Sequence, residues 1–331
     1  MHKNSQKTEG LPQRIVWQPY MNEKEEAALK IRKVWKNIRK CAGLYAMLAF
    51  PIIWYIIFKY VPMYGLQIAF RKFNPTLGIT KSPWAGLTYF KQFFGSYYFT
   101  DILRNTVTLS LFTMLIGFPM PIILALLINE IKNVKFKKLI QNITYMPNFL
   151  SVVVIVSMLT LFSNRDYGLF NKIRELFGAA PVDLMSKPAY FQPLYVFSNV
   201  WQFMGFNAII YIAALAGVDQ ELYEAASIDG ASRMQKILHI SLPCIMGTIL
   251  IMFIMRIGSL MSVGFEKVYL MQNNVNLSAS EIISTFIYKN GIQKGQFSYS
   301  TAVGLFNSVI NFALLVSANF VSKKTTDTGL W

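Results

Sequence analysis

Long uncharged stretches alternate with short charged ones along this chain. Uncharged runs cover 41–58, 105–129, 139–164, 188–218, 237–255 and 295–322. Each approaches or exceeds the roughly 20 residues that a helix needs to cross the hydrocarbon layer of a membrane. Backbone groups in lipid must bond within their own segment, so the runs are expected to be helices. The pattern predicts six spans, at about 41–62, 105–129, 144–163, 191–217, 243–264 and 299–322. The first carries Pro51 and extends past Lys59, whose ammonium reaches up to the interface. Pro119 and Pro121 should kink the second, Pro147 opens the third, and Pro243 takes the first-turn position that suits proline in the fifth.

Composition sharpens this picture. The 331 residues are 54% apolar and only 15% charged, against about 25% charged in soluble domains. The net charge of +16 is better explained by basic residues flanking spans on the cytoplasmic side than by nucleic acid. The first forty residues are basic and hold no apolar run, so the first span is expected to be the targeting signal. Lys132, Lys135, Lys137 and Lys138, then Arg233 and Lys236, then Lys323 and Lys324 mark the other inner segments. Arg71, Lys72, Lys81, Lys91 and Arg104 on the outer side soften the asymmetry. An even number of spans places both termini in the cytoplasm. Cys41 and Cys244 read as small packing residues rather than a disulfide, and no metal-ligand spacing exists. The organisation expected is a basic cytoplasmic tail (1–40, with Glu26 and Lys30 paired along a helix), a first span with an aromatic-rich outer segment that rests partly on the membrane (41–104), a transmembrane core (105–322) and a short cytoplasmic tail (323–331). The outer segment 265–298 has room for a short helix.

Between spans four and five lies the polar segment 224–243, EAASIDGASRMQKILHISLP. It must lie in water. Leu222 to Asp229 should form a short helix that ends at Gly230, where a side chain would hinder the turn. Small Ala225 and Ala226 let another backbone approach, Glu224 offers a carboxylate to a partner's Arg or Lys, and Arg233 and Lys236 start the next helix. A helix lying in a partner's groove is a recurrent mode of recognition. His239 reads as a surface or interface residue.

The spacing of Glu224, Ala225, Ala226, Gly230, Ile240, Leu242 and Pro243 matches the signature loop of permease subunits in binding-protein-dependent ABC importers. Leu222, Tyr223 and Asp229 strengthen the match. WYIIFKYVPMYGLQIAF, SPWAGLTYFKQFF, FPMPIILALLINE, YMPNFLS and GFEKVYLM resemble the carbohydrate branch, in particular permeases of oligosaccharides and polysaccharide fragments. The resemblance implies an all-α integral membrane protein of the type I ABC importer permease fold, with six transmembrane helices and a coupling loop at 219–242. It implies a bacterial cytoplasmic membrane, a second related permease, two cytoplasmic ATPase subunits that hold ATP and Mg, and an extracytoplasmic solute-binding protein. The permease itself binds no cofactor and is not an enzyme.

The same resemblance places a sugar path on the helices flanking the loop, at Asn199, Gln202, Phe203 and Phe206 and at Arg256, Ser259, Leu260 and Val263. These residue types suit the ligand: amides and aromatic faces bind sugars, Asn207 adds a further amide, and Gly205 offers a bend. Arg256 lies about 20 Å along a helix from Pro243, where a charge costs about 2.5–3.5 kcal/mol on insertion scales. It has four readings: facing a cavity, pairing with Glu266, pairing with the second permease, or reaching outward. A path lying wholly on the sister subunit is the bland alternative. A non-sugar cargo and a stand-alone secondary transporter are the competing functions. The chain has no GxxxxGK phosphate loop and no HExxH motif.

Overall fold

The computed structural model describes residues 41–326 together with Arg32, Lys36, Asn37, Arg39, Lys40, Gly329 and Leu330. The expected Glu26–Lys30 pair and most of the basic tail lie outside these. Two compact units are present, Met1–Gly65 and Leu66–Trp331. In the first, α1 (Ala42–Tyr55) keeps Pro51 inside and passes into a π-helical turn, Ile56–Tyr60. It is apolar all round and buries nothing against its own unit, as expected for a helix surrounded by lipid.

The split between the units falls at Gly65. The physical reason is α2 (Thr88–Phe94), whose Phe93 is 1% exposed. Its ring packs edge-on against Phe99 (5.1 Å), Phe306 (5.5 Å) and Tyr299 (6.4 Å). The aromatic segment after α1 is thus partly core. Trp84, Tyr97 and Tyr98 remain exposed.

Among its described residues the second unit contains helices joined by turns and loops, with one isolated bridge, Arg71–Trp84, and no strand. Helices α3 (Phe99–Gly117) and α4 (Pro119–Asn129) form one span that breaks register before Pro119. The span begins at Phe99, six residues earlier than the uncharged run. Helix α5 (Val134–Tyr145) leads through a 3-10 turn at Met146–Phe149 to α6 (Val152–Ser163), with a 97° bend. Leu150 is extended, and Ser151 caps α6 by accepting from the Val154 amide. The third predicted span is therefore sharply broken. After α7 (Leu169–Leu176), α8 (Pro188–Ala216) runs 29 residues without interruption.

Gly205 does not bend α8. A β-carbon there would lie 2.0 Å from the Thr144 carbonyl oxygen of α5, so the glycine permits a close helix crossing. Helices α9 (Gln220–Ile228) and α10 (Arg233–Lys236) form the polar loop. A π-helical turn, Ile237–Ser241, and the single turn Leu242–Cys244 follow, and a 62° bend leads into α11 (Met246–Gly258). The outer segment holds α12 (Phe265–Met271) and α13 (Ile283–Tyr288), and α14 (Phe297–Thr326) closes the unit. Lys323 and Lys324 thus belong to the last turn of α14 rather than to a separate tail, where cations suit the helix dipole. Among the described residues four helices are long and apolar enough to span a membrane, or up to six if each bent pair is one span. Cys41 and Cys244 are free and exposed, so neither packs inside the chain.

Candidate functional site: a membrane-depth cavity and a polar loop

A cavity of about 550 Å³ opens among α3, α4, α8, α11 and the 259–264 turn. Its wall on α8 runs from Tyr195 to Tyr211 with a stripe at Asn199, Phe203 and Asn207. Those sixteen steps cover about 24 Å of helix, most of the roughly 30 Å hydrocarbon depth. The opposite wall carries Arg256, Ser259, Leu260 and Val263. Ser110 and Thr113 enter from α3.

Several polar groups on this wall have no hydrogen-bond or ion-pair partner among the described residues. Ser110 is 4% exposed, and its hydroxyl is unpaired. The amides of Asn199 and Asn207 and the guanidinium of Arg256 are likewise unmatched. The Glu266 pairing considered for Arg256 does not form. Of these Ser110 alone is buried, where polar groups are normally satisfied; Asn199 is half-buried, and Asn207 and Arg256 are exposed. A concave surface that leaves an amide, a hydroxyl and a guanidinium open, beside the faces of Phe203 and Tyr211, is equipped to hydrogen-bond a polyhydroxylated guest. Arg256 is the only charged residue on the described lining, and no carboxylate lies there.

Two of the sequence-chosen positions lie elsewhere. Gln202 is 2% exposed on another face of α8, where its Oε1 accepts from Lys267 Nζ at 3.2 Å. Phe206 is exposed and meets the Phe149 ring edge-on at 6.3 Å. The lining follows the i, i+4 rows of α8, which run through Asn199, Phe203 and Asn207 and leave 202 and 206 on neighbouring faces.

Lys267 escaped the sequence reading. It is 4% exposed, its ammonium sits 5.8 Å from the ring centre of Tyr195, and no acid pairs with it among the described residues. Burial pushes it down from 10.5 to about 8. It lies behind the Tyr195 wall. The signal in the sequence was a lysine inside GFEKVYLM, where every neighbour but Glu266 is uncharged.

The polar loop has a different chemistry. Asp219 caps α9 by accepting from the Glu221 amide, and Ser232 and Gln235 close a capping box on α10. Leu222, Glu224, Ala225, Asp229, Gly230, Arg233 and Pro243 are exposed, while Tyr223, Ala226 and Leu242 are half-buried. Gly230 has φ +76 with open space about it, so its constraint is the left-handed backbone rather than crowding. His239 is exposed, with Nδ1 3.0 Å from the Gln235 carbonyl oxygen.

Comparison with known proteins places this arrangement. Residues 117–327 match the family described as binding-protein-dependent transport system inner membrane component. Protein LplB of Bacillus subtilis (strain 168) is 43% identical over 89% of this chain and 92% of its own length. The polygalacturonan/rhamnogalacturonan transport system permease protein YteP of the same organism is 41% identical, over 87% and 90%. A bacterial ABC transporter that imports the acidic polysaccharide alginate has the same fold, with TM-score 0.82 and 38% identity over 89% of this chain and 99% of that one. It has also been solved with its alginate pentasaccharide-bound periplasmic protein. The chain belongs to the inner-membrane permease family of binding-protein-dependent transport systems.

Proposed function

We propose that this chain forms half of the translocation path of an ATP-driven importer for acidic oligosaccharides. The cavity wall carries the reading. It joins unpaired hydrogen-bonding groups and aromatic faces to one guanidinium without a compensating carboxylate. An uncompensated cation at membrane depth is costly, and a carboxylate on the cargo offsets that cost. Lys267 adds a second positive charge behind Tyr195. YteP is named for polygalacturonan and rhamnogalacturonan and the solved importer for the acidic polysaccharide alginate, which supports the same class of cargo.

The partners follow from the family and the loop. A second related permease supplies the other half of the path, and two cytoplasmic ATPase subunits hold ATP and Mg. An extracytoplasmic binding protein delivers the sugar, and both termini of this chain face the cytoplasm. ATP binding closes the ATPase pair, and the loop at 219–242 is pushed. The two permeases rock, and the cavity opens outward to the loaded binding protein; hydrolysis restores the inward-facing state.

The test is uptake by the reconstituted importer with its binding protein. Oligogalacturonates and their neutral methyl esters of equal length are compared in wild type and Arg256→Gln. The expected result is that the acid enters faster in wild type and loses about ten-fold or more in the variant, the size of one charge-assisted hydrogen bond. Equal uptake of acid and ester by both proteins would contradict the assignment of the cargo's charge. Absence of any carbohydrate uptake would contradict the sugar reading as a whole.

A further inference from the structure

Two side-chain ties hold α9, one to the π-helical turn that follows the loop and one to α10. The Tyr223 hydroxyl of α9 lies 2.9 Å from Ser241 Oγ, eighteen residues later. Lys236 Nζ donates to Ser227 Oγ at 2.6 Å, and that hydroxyl donates onward to the Tyr223 carbonyl. The two ties differ in setting. Lys236–Ser227 is solvent-exposed, whereas Ser241 is 1% exposed and ends the π-helical turn. The Tyr223–Ser241 bond is part-buried, and water replaces such a bond less readily than an exposed one.

Ser241 is also well placed to pass a displacement on. Four residues later Ile245, 1% exposed, packs in one core cluster with Ala125, Ala208, Tyr211 and Leu215. Tyr211 belongs to the cavity wall. The 62° bend into α11 falls at this same residue, and α11 carries Arg256. The π-helical turn just before it is a departure from the regular ladder of the kind that often marks a functional site.

We infer that the Tyr223–Ser241 hydrogen bond is the strut through which the push on α9 reaches the cavity, with the bend at Ile245 as the hinge. Both residues act as positioning residues, touching neither cargo nor nucleotide. This rests on the loop being the element that meets the ATPase. The strut makes α9, α10 and the π-turn one lever. Without it α9 yields alone, ATP is hydrolysed, and the cavity fails to move with the loop.

The experiment measures sugar imported per ATP hydrolysed in proteoliposomes of the whole importer, for Ser241→Ala, Ser241→Thr, Tyr223→Phe and the Ser241→Ala/Tyr223→Phe pair. Co-purification of the ATPase subunits is scored for each. Ser241→Ala and Tyr223→Phe should keep the ATPase bound yet lower the ratio by about five-fold, the scale of one hydrogen bond. The double variant should be no worse than either single, since both remove the same bond. Ser241→Thr, which keeps a hydroxyl, should retain most of the ratio. A wild-type ratio in Tyr223→Phe, or losses that multiply in the double, would overturn the strut. Loss of the ATPase from Ser241→Ala would overturn it too, by making Ser241 a docking residue. If the unaltered loop does not hold the ATPase at all, the docking reading fails as well as the strut.

Discussion

The cavity wall and the polar loop treat their polar groups in opposite ways. In the loop, side chains bond inward: Asp219 and Ser232 cap helices, Gln235 answers Ser232, and Tyr223 and Lys236 tie α9 to the π-turn and to α10. In the cavity, Ser110 is buried with its hydroxyl unpaired, and Asn199, Asn207 and Arg256 line the wall without a hydrogen-bond or ion-pair partner among the described residues. A segment whose bonds are internally satisfied keeps its shape under load. A surface with unspent hydrogen-bonding capacity takes a guest. The same chain thus separates a mechanical element from a binding one.

Four substitutions sharpen this contrast, from the largest expected effect to the smallest. Gly230→Asp places a β-carbon at φ +76 and a new charge on the exposed loop. It should leave membrane insertion intact and abolish sugar uptake while ATP is still hydrolysed, read as uptake against hydrolysis in the same vesicles. Normal transport would remove the loop's mechanical role. Arg256→Ala should reduce uptake by about ten-fold or more with unchanged membrane abundance, since it removes a charge-assisted contact rather than a packing one.

Gly205→Ala forces a methyl onto the Thr144 carbonyl. It should lower thermal stability by about 1–3 kcal/mol, the usual scale of overpacking, seen as a lower melting temperature in detergent. Lys267→Met has the smallest and most conditional effect. The folded chain releases this proton near pH 8 and the unfolded chain near 10.5, so wild type gains stability as pH rises between those values. Lys267→Met should therefore be more stable than wild type below pH 8, and its advantage should shrink as pH climbs toward 10.5. Melting temperatures measured from pH 7 to 10 test the sign.

How much could be read in advance obeys the same division. The loop is one contiguous stretch, and its helix, its turn at Gly230 and its capping residues are all local signals. The cavity is assembled from α3, α4, α8, α11 and a turn. Asn199 and Arg256 stood out because polar residues in apolar runs are conspicuous, but Ser110 and Thr113 looked like ordinary helix residues. Gln202 looked like a lining residue, although its partner is Lys267, 65 positions away. The apolar runs located the helices, yet they did not reveal the 97° and 62° breaks, because hydropathy is blind to direction. Nor did they reveal that the aromatics before α3 pack as core, since Phe93 finds its partners on α13 and α14 as well as α3.

The most direct measurement tracks labelled oligogalacturonate into proteoliposomes that hold both permeases and the binding protein, with the ATPase subunits present or left out. Accumulation that requires the ATPase and ATP, and that falls away in Arg256→Gln, is the expected result. Equal accumulation without the ATPase subunits would contradict it.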